Sequence, residues 1–292
     1  MAGEGSKAVK AQSTPSGTPS GTPSGAPTSN PSGGDQGPWR AAEGVPPVRP
    51  ARFEDLTAAL AAGWADFKAA PLLGLTVGGL YMLGGWLLLW VLELREVRGL
   101  SFPVVAGFAL IGPFVAVILY EISRRRELGQ GFGFADIPAM VARTARKQIL
   151  YHGFILMFWL GVWSRVGVML FAIFFHASTD RFWELAGTML TTAHGLNFLL
   201  VGHLFGAFFA GVAFCLSVLA FPFLLDRDSD FITAMVLSFQ SVLASPHVML
   251  SWGLFIGVAL AAACLPFFLG LPLVLPLLGH ASWHLYRRLV VD

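Results

Sequence analysis

The sequence predicts an all-α transmembrane protein: six spanning helices arranged as three hairpin repeats, each preceded by a cytoplasmic amphipathic interfacial helix. Three observations carry this. Six apolar stretches, almost free of charge, fill the chain from about Pro71 to Val290, and crossing a bilayer takes roughly 20 apolar residues. Hydrophobic residues make up 55% of the chain and charged residues only 12%, at a mean hydropathy of +0.67; a soluble domain carries about 25% charged residues. A short motif also recurs ahead of three of the apolar stretches.

Residues 1–48 read as a disordered tail. Thr14-Pro15-Ser16-Gly17 repeats as Thr18-Pro19-Ser20-Gly21 and Thr22-Pro23-Ser24-Gly25, and such segments bury too little to offset the entropy of ordering. It is polar and holds no early apolar region, so no cleaved signal peptide is expected. Residues 49–292 form the membrane domain. Its first element is an amphipathic helix in which Phe53, Leu56, Leu60, Trp64 and Phe67 recur at helical spacing between Glu54, Asp55, Asp66 and Lys68. That pattern belongs at a membrane interface.

The spans follow at about 71–92, 101–122, 149–176, 190–225, 247–269 and 272–289. The fourth is overlong, so its first turns around Thr191 to His194 lie in the interface or the helix tilts. Gly112-Pro113 and Pro222 break the second and fourth, and Pro272 and Pro276 bend the start of the sixth. The recurring motif is Asp55-Leu56-Thr57-Ala58-Ala59, then Asp136-Ile137-Pro138-Ala139-Met140, then Phe231-Ile232-Thr233-Ala234-Met235. The third copy carries an apolar stripe of Ile232, Met235, Val236, Phe239, Val242 and Leu243.

Lys and Arg set the orientation. Arg49, Arg52, Lys68, Arg124, Arg125, Arg126, Arg143, Arg146, Lys147, Arg227, Arg287 and Arg288 fall on one side; Arg95, Arg98 and Arg181 fall on the other. The positive-inside rule places both termini in the cytoplasm. A net charge of +2 suggests no nucleic-acid partner. Cys215 and Cys264 lie inside apolar spans and read as buried thiols, not as a disulfide.

Two groups of residues stand out. Arg165 interrupts the third span, near the depth of Asn197 and His203 in the fourth; an intramembrane charge is costly and marks a site by default. Glu93 and Glu96 are its possible carboxylate partners. The second group lies where the even-numbered spans reach the cytoplasm: Tyr120, Glu121 and Arg124, then Asp226, then His280 and His284. The two histidines are four residues apart and share a helical face. With Glu121 or Asp226 they match the chemistry of a metal site, and as interfacial residues they match a structural polar network; whether a metal binds stays open, and no cofactor is expected. His152 and His247 open spans at the cytoplasmic face, and His176 and His194 flank an outer loop. No Walker loop, Gly-x-Ser-x-Gly or His-Glu-x-x-His motif is present, so no enzyme activity is expected.

Three blocks carry a family resemblance: Phe102 to Gly112-Pro113 running into Leu119-Tyr120-Glu121-Ile122-Ser123-Arg124-Arg125; Leu225-Asp226-Arg227-Asp228-Ser229-Asp230 with Thr233-Ala234-Met235; and Leu275 to Arg287. In this order they resemble the bacterial integral membrane proteins of domain of unknown function family 2189, over roughly Ala70 to the C-terminus. The resemblance implies a bacterial inner membrane and brings no activity. Three functions fit the residues. The first is a non-enzymatic accessory, assembly or scaffold component with a membrane-protein partner or a second copy. The second is a small-solute or ion transporter using Arg165. The third is a metal- or haem-binding subunit using His280 and His284.

Overall fold

Aspartates reach back at the starts of the helices that open at Phe53, Ile137 and Phe231, and a proline follows the ends of the first and third. The computed structural model describes residues 45–94, 101–131, 133–144, 147–175 and 182–291; the expected tail of residues 1–44, and Glu96, lie outside them. Eleven α-helices occur among the described residues: α1 Phe53–Ala69, α2 Pro71–Leu94, α3 Ser101–Glu127, α4 Ile137–Thr144, α5 Lys147–Phe175, α6 Phe182–Thr191, α7 Ala193–Ser217, α8 Ala220–Asp226, α9 Phe231–Ala244, α10 Pro246–Cys264 and α11 Leu271–Leu289. The all-helical expectation holds for them.

The Asp55 carboxylate reaches back to accept from the Arg52 amide at 2.9 Å, and Asp136 does the same for Gly133 at 2.8 Å before α4. Asp230 caps α9 directly, accepting from the amides of Ile232 and Thr233 at 2.9 Å. Each satisfies amides that a helix start leaves free. α1 and α9 both stop one residue before a proline, at Ala70 and Ser245, whose backbones leave the helical region, as a residue preceding proline prefers. The proline then opens the next long helix, where its missing N–H costs nothing.

Several expected breaks are resolved by the same rules. α7 starts afresh at Thr192, whose hydroxyl accepts from the Gly195 amide at 3.0 Å; the overlong fourth stretch is therefore divided there, beside the additional helix α6. Its lower end breaks at Val218-Leu219, one turn before Pro222, which cannot donate to the Val218 carbonyl. The Leu219 amide turns instead to the Ser238 hydroxyl of α9 at 3.2 Å. The expected break at Gly112-Pro113 is absent, because α3 runs through Pro113 as one helix.

Ring contacts show α5 and α7 antiparallel and in step: Trp159 on Phe209, Phe171 on Phe198 and Phe174 beside His194. α11 runs antiparallel to α2, with Pro276 at Gly74 and Pro272 at Gly78, and alongside α3, with Gly279 at Leu119. One end of the bundle therefore collects the C-terminal ends of α3, α8 and α11 and the starts of α1, α5, α9 and α10. Most of the buried core lies toward this end, around Trp252, Trp283, Tyr286, Phe221 and Phe223. Away from it, α5 and α7 expose long apolar faces such as Phe154, Phe158, Val168, Leu200 and Leu204, as helices solvated by lipid do.

Four helical stretches among the described residues are long and apolar enough to cross a bilayer: Pro71–Val91, Lys147–Phe175, Ala193–Asp226 and Pro246–Cys264. The six-span expectation is met to that extent. The side chains of 101–111 in α3 lie outside the description, and α11 ends in His280, His284, Arg287 and Arg288, which shorten its apolar part. The residues Val45–Val48, expected in the tail, instead pack with the membrane domain. Val45 is buried, Val48 pairs with Val290, and the Arg49 amide donates to the Leu289 carbonyl at 3.0 Å.

The turn between α10 and α11, residues 265–270, is apolar throughout. Phe267 and Phe268 both hold left-handed backbone conformations, with φ of 52° and 65°. Such a conformation costs a non-glycine residue about 1–3 kcal/mol.

Candidate functional site

The last three turns of α11 sit inside a ring of carboxylates, cations and hydroxyls. The ring is possible because α1 approaches very closely. A Cβ on Gly63 would lie 2.6 Å from the Ala281 amide nitrogen, so only glycine lets the two backbones meet. The buried face of α1 is Asp55, Leu56, Ala59, Gly63, Asp66 and Phe67. Of its expected apolar stripe, Leu56 and Phe67 turn inward, while Phe53 and Trp64 point away, 56% and 42% exposed. The small and acidic face is thus the one that docks on protein.

From α1, Asp66 accepts from His284 Nε2 at 2.8 Å and pairs with Arg126 of α3. From α3, the Ser123 hydroxyl meets His280 Nδ1 at 2.7 Å. Glu127 accepts from Trp283 Nε1 and Arg287 Nε, each at 3.1 Å. From α8, Asp226 accepts from the Tyr286 hydroxyl at 2.8 Å and faces Arg287 Nη1 at 3.4 Å. Asp55 closes the ring, held by both ends of the Arg49 guanidinium at 2.9 and 2.6 Å. Arg49 Nε also donates to the Arg288 carbonyl at 2.7 Å, capping the end of α11 where the helix dipole favours a cation. Charge-assisted pairs of this kind are the strong class of hydrogen bond.

Of the residues expected at the cytoplasmic face, His280, His284 and Asp226 join this ring, and buried Tyr120 meets Ser282 of α11. Glu121 is fully buried and accepts from Arg124 and Arg125, each at 3.0 Å, within its own helix. The two histidines share a face of α11 but take different partners, one a serine and the other a carboxylate. Among the described residues, no three His, Cys, Asp or Glu side chains are grouped to hold a metal ion.

Asp66, Arg126, Ser123, Glu127 and Arg49 were not singled out from sequence. Asp66 had a signal: it shares one helical face with Asp55, Ala59 and Gly63, and small residues beside an acid mark a close-packed polar contact.

Arg165, Asn197 and His203 behave differently. All three are exposed, and they do not form an internal site. His203 Nδ1 donates to the Leu199 carbonyl of its own helix at 2.7 Å. Arg165 has no hydrogen-bond or ion-pair partner among the described residues. The in-step ring pairs of α5 and α7 put Arg165 level with His203, roughly ten residues or about 15 Å from the α6 end of the pair. His152, by contrast, is fully buried edge-on to Phe221 at 4.7 Å, and both its ring nitrogens lack hydrogen-bond partners.

Outside the spanning helices, the ring sets two carboxylates below their ordinary value of 3.8. For Asp55 the Arg49 hydrogen bonds are the largest cause and outweigh burial. For Asp66 burial pushes upward, and the hydrogen bonds from His284 and Ser123, with the nearby histidine charge, outweigh it. A depressed carboxylate adds stability that is fully present above the unfolded value and is lost as pH falls through the folded one. Thermal unfolding of the purified protein in detergent is therefore expected to stay flat from pH 7 to about 5 on this account and to fall steeply below about 4. Asp66→Asn flattens the acid limb. An acid limb unchanged in that variant removes Asp66 from the account.

No curated protein and no solved structure matches the chain. One family model does, over the first of the three blocks and up to the start of the second; the third block, Leu275 to Arg287, lies beyond it. Across the stretch that runs from the start of α3 to the end of α8, residues 101–226, this chain matches DUF2189, the family described as a predicted integral membrane protein.

Proposed function

We propose that the protein is a non-enzymatic accessory subunit of a larger assembly in the bacterial inner membrane, with both termini cytoplasmic. The observation that carries this is Arg165. A guanidinium in a spanning helix is tolerated where it faces a bundle interior or a polar cavity. Here it points away from the bundle, on an apolar face of α5 with Phe158, Gly161 and Val168 exposed beside it. The interior it needs is that of a complex. No acidic residue of this chain lies within the apolar stretches at that depth, so the reading calls for a partner whose membrane helix brings a carboxylate or amide acceptor.

The polar ring around α11 supports the same reading. Its carboxylates and imidazoles are engaged with one another, which suits a rigid anchor joining α1, α3, α8 and α11. α1, α4 and α9 then act as interfacial helices ahead of three hairpins. The like-placed carboxylates of Asp55 and Asp136, and the like-placed Ala70-Pro71 and Ser245-Pro246 junctions, support that repeat.

Purification from native membranes in mild detergent tests the proposal. The expected result is a stoichiometric partner that is retained by the wild type and lost from Arg165→Leu, while the melting temperature stays unchanged. Retention of the same partner by Arg165→Leu, or recovery of a lone monomer from native membranes, defeats it.

A further inference from the structure

We propose that α10 and α11 form a re-entrant hairpin: it enters from the polar end, turns near mid-bilayer, and leaves the turn 265–270 seated among lipid acyl chains. The helix levels lead there. The ring around α11 reaches up to about His280. At that height stand Leu119 of α3, opposite Gly279, and the first turn of α2, which continues to Gly74 opposite Pro276. Gly253 of α10 packs on Phe214 of α7, which the α5–α7 pairing sets level with about Phe154.

From that common height α2 runs the 21 residues of Pro71–Val91, about 31 Å at 1.5 Å per residue. α5 runs from Phe154 to Phe175, roughly 33 Å, and α3 covers a similar span from Leu119 back to Ser101. These lengths match a hydrocarbon core about 30 Å thick. From that height α10 has only Gly253 to Cys264 left, about 18 Å, before the chain turns back. Trp86, roughly 23 Å along α2, bounds the depth of the turn within the core: its Nε1 donates to the Phe267 carbonyl at 2.8 Å.

The turn is built for that depth. Leu265 is 83% and Phe267 76% exposed, and no residue from Leu265 to Pro272 carries a polar side chain. A turn facing water takes glycine or asparagine at left-handed positions; this one places two phenylalanines there, Phe268 packed against the core of α2 and α3 and Phe267 with an exposed ring that gains only from apolar surroundings. Backbone in hydrocarbon must find its hydrogen bonds within the protein. Here the amides of Leu265, Phe268, Leu269, Gly270 and Leu271 donate to carbonyls of the same hairpin at 3.0–3.1 Å. The hairpin preserves the shared side of the two ends, since it returns to where it began. It rests on the bilayer reading and is independent of any partner at Arg165.

Cysteine accessibility tests it. In a background with Cys215→Ser and Cys264→Ser, single variants Phe267→Cys, Thr191→Cys at the α6 end and Gln130→Cys at the polar end are treated in sealed vesicles with a charged, impermeant maleimide. The expected result is labelling of Thr191→Cys from one side, of Gln130→Cys from the other, and of Phe267→Cys from neither until SDS is added. Bimane attached at position 267 should then be quenched most by lipids brominated deep in the acyl chain. Leu269→Cys repeats the measurement if Phe267→Cys folds poorly. Labelling of the turn from the same side as Thr191→Cys overturns the proposal and makes α10 and α11 full crossings. Quenching that is absent, or strongest from headgroup-proximal bromines, also overturns it.

Discussion

Asp66→Ala will destabilise the folded domain by about 3 kcal/mol, the scale expected when one partner of a buried ion pair is removed. The carboxylate of Asp66 is the shared acceptor for His284 and Arg126, and it is buried. Removing it leaves the Arg126 cation beside α11 without its counter-charge and His284 without its acceptor, both of them half-buried. Asp66→Asn keeps an oxygen for His284 and loses only the charge, so its loss should be about half as large. SDS titration followed by tryptophan fluorescence measures both. If the charge is what matters, a compensating Arg126→Met in the Asp66→Leu background recovers most of the stability, because an apolar pair of similar volume is often neutral. A loss below about 0.5 kcal/mol for Asp66→Ala, the size of an ordinary surface change, contradicts the role assigned to the ring.

The second large effect is expected at Gly63→Val. The clash is with backbone: a Cβ at this position falls 2.6 Å from the Ala281 nitrogen and 2.9 Å from its Cα. Neither atom can move aside as a flexible side chain does. Relief requires α1 to lift from α11, which parts Asp66 from His284 and Asp55 from Arg288. The cost is expected to exceed the usual 1–3 kcal/mol of overpacking, and Trp64, already exposed, serves as a bystander control. Limited proteolysis should show new cleavage between α1 and α2 in the variant. A Gly63→Val protein that resists protease like the wild type shows that the two helices are not held as described.

What was legible in the sequence follows from the range of the forces involved. Helix class and the short helices ahead of Pro71 and Pro246 depend on local pattern, and both are found. The break near Pro222 was legible too, because a proline acts on the residue four before it. The partners of the histidines were not legible. Asp66 and Ser123 reach His284 and His280 across 218 and 157 positions, and no spacing rule joins such pairs. Gly112-Pro113 misled in the opposite direction: the local rule gives a break, and α3 runs through it. Arg165 shows the remaining gap. Composition marks a charge in an apolar span as anomalous, yet the side it faces is set by packing with helices distant in sequence.

The pairing of α1 with α11 has a consequence for biosynthesis. α1 leaves the ribosome some two hundred residues ahead of α11 and must wait for it before its docking surface is covered. During that interval Asp55 can pair with Arg49 and Asp66 with Arg126, but the glycine notch at Gly63 stands uncovered. Translation stalled or truncated before Leu271 leaves every earlier hairpin inserted but the lock unclosed. Quality-control proteases that sample an undocked helix would then discriminate finished chains from unfinished ones at this single seam.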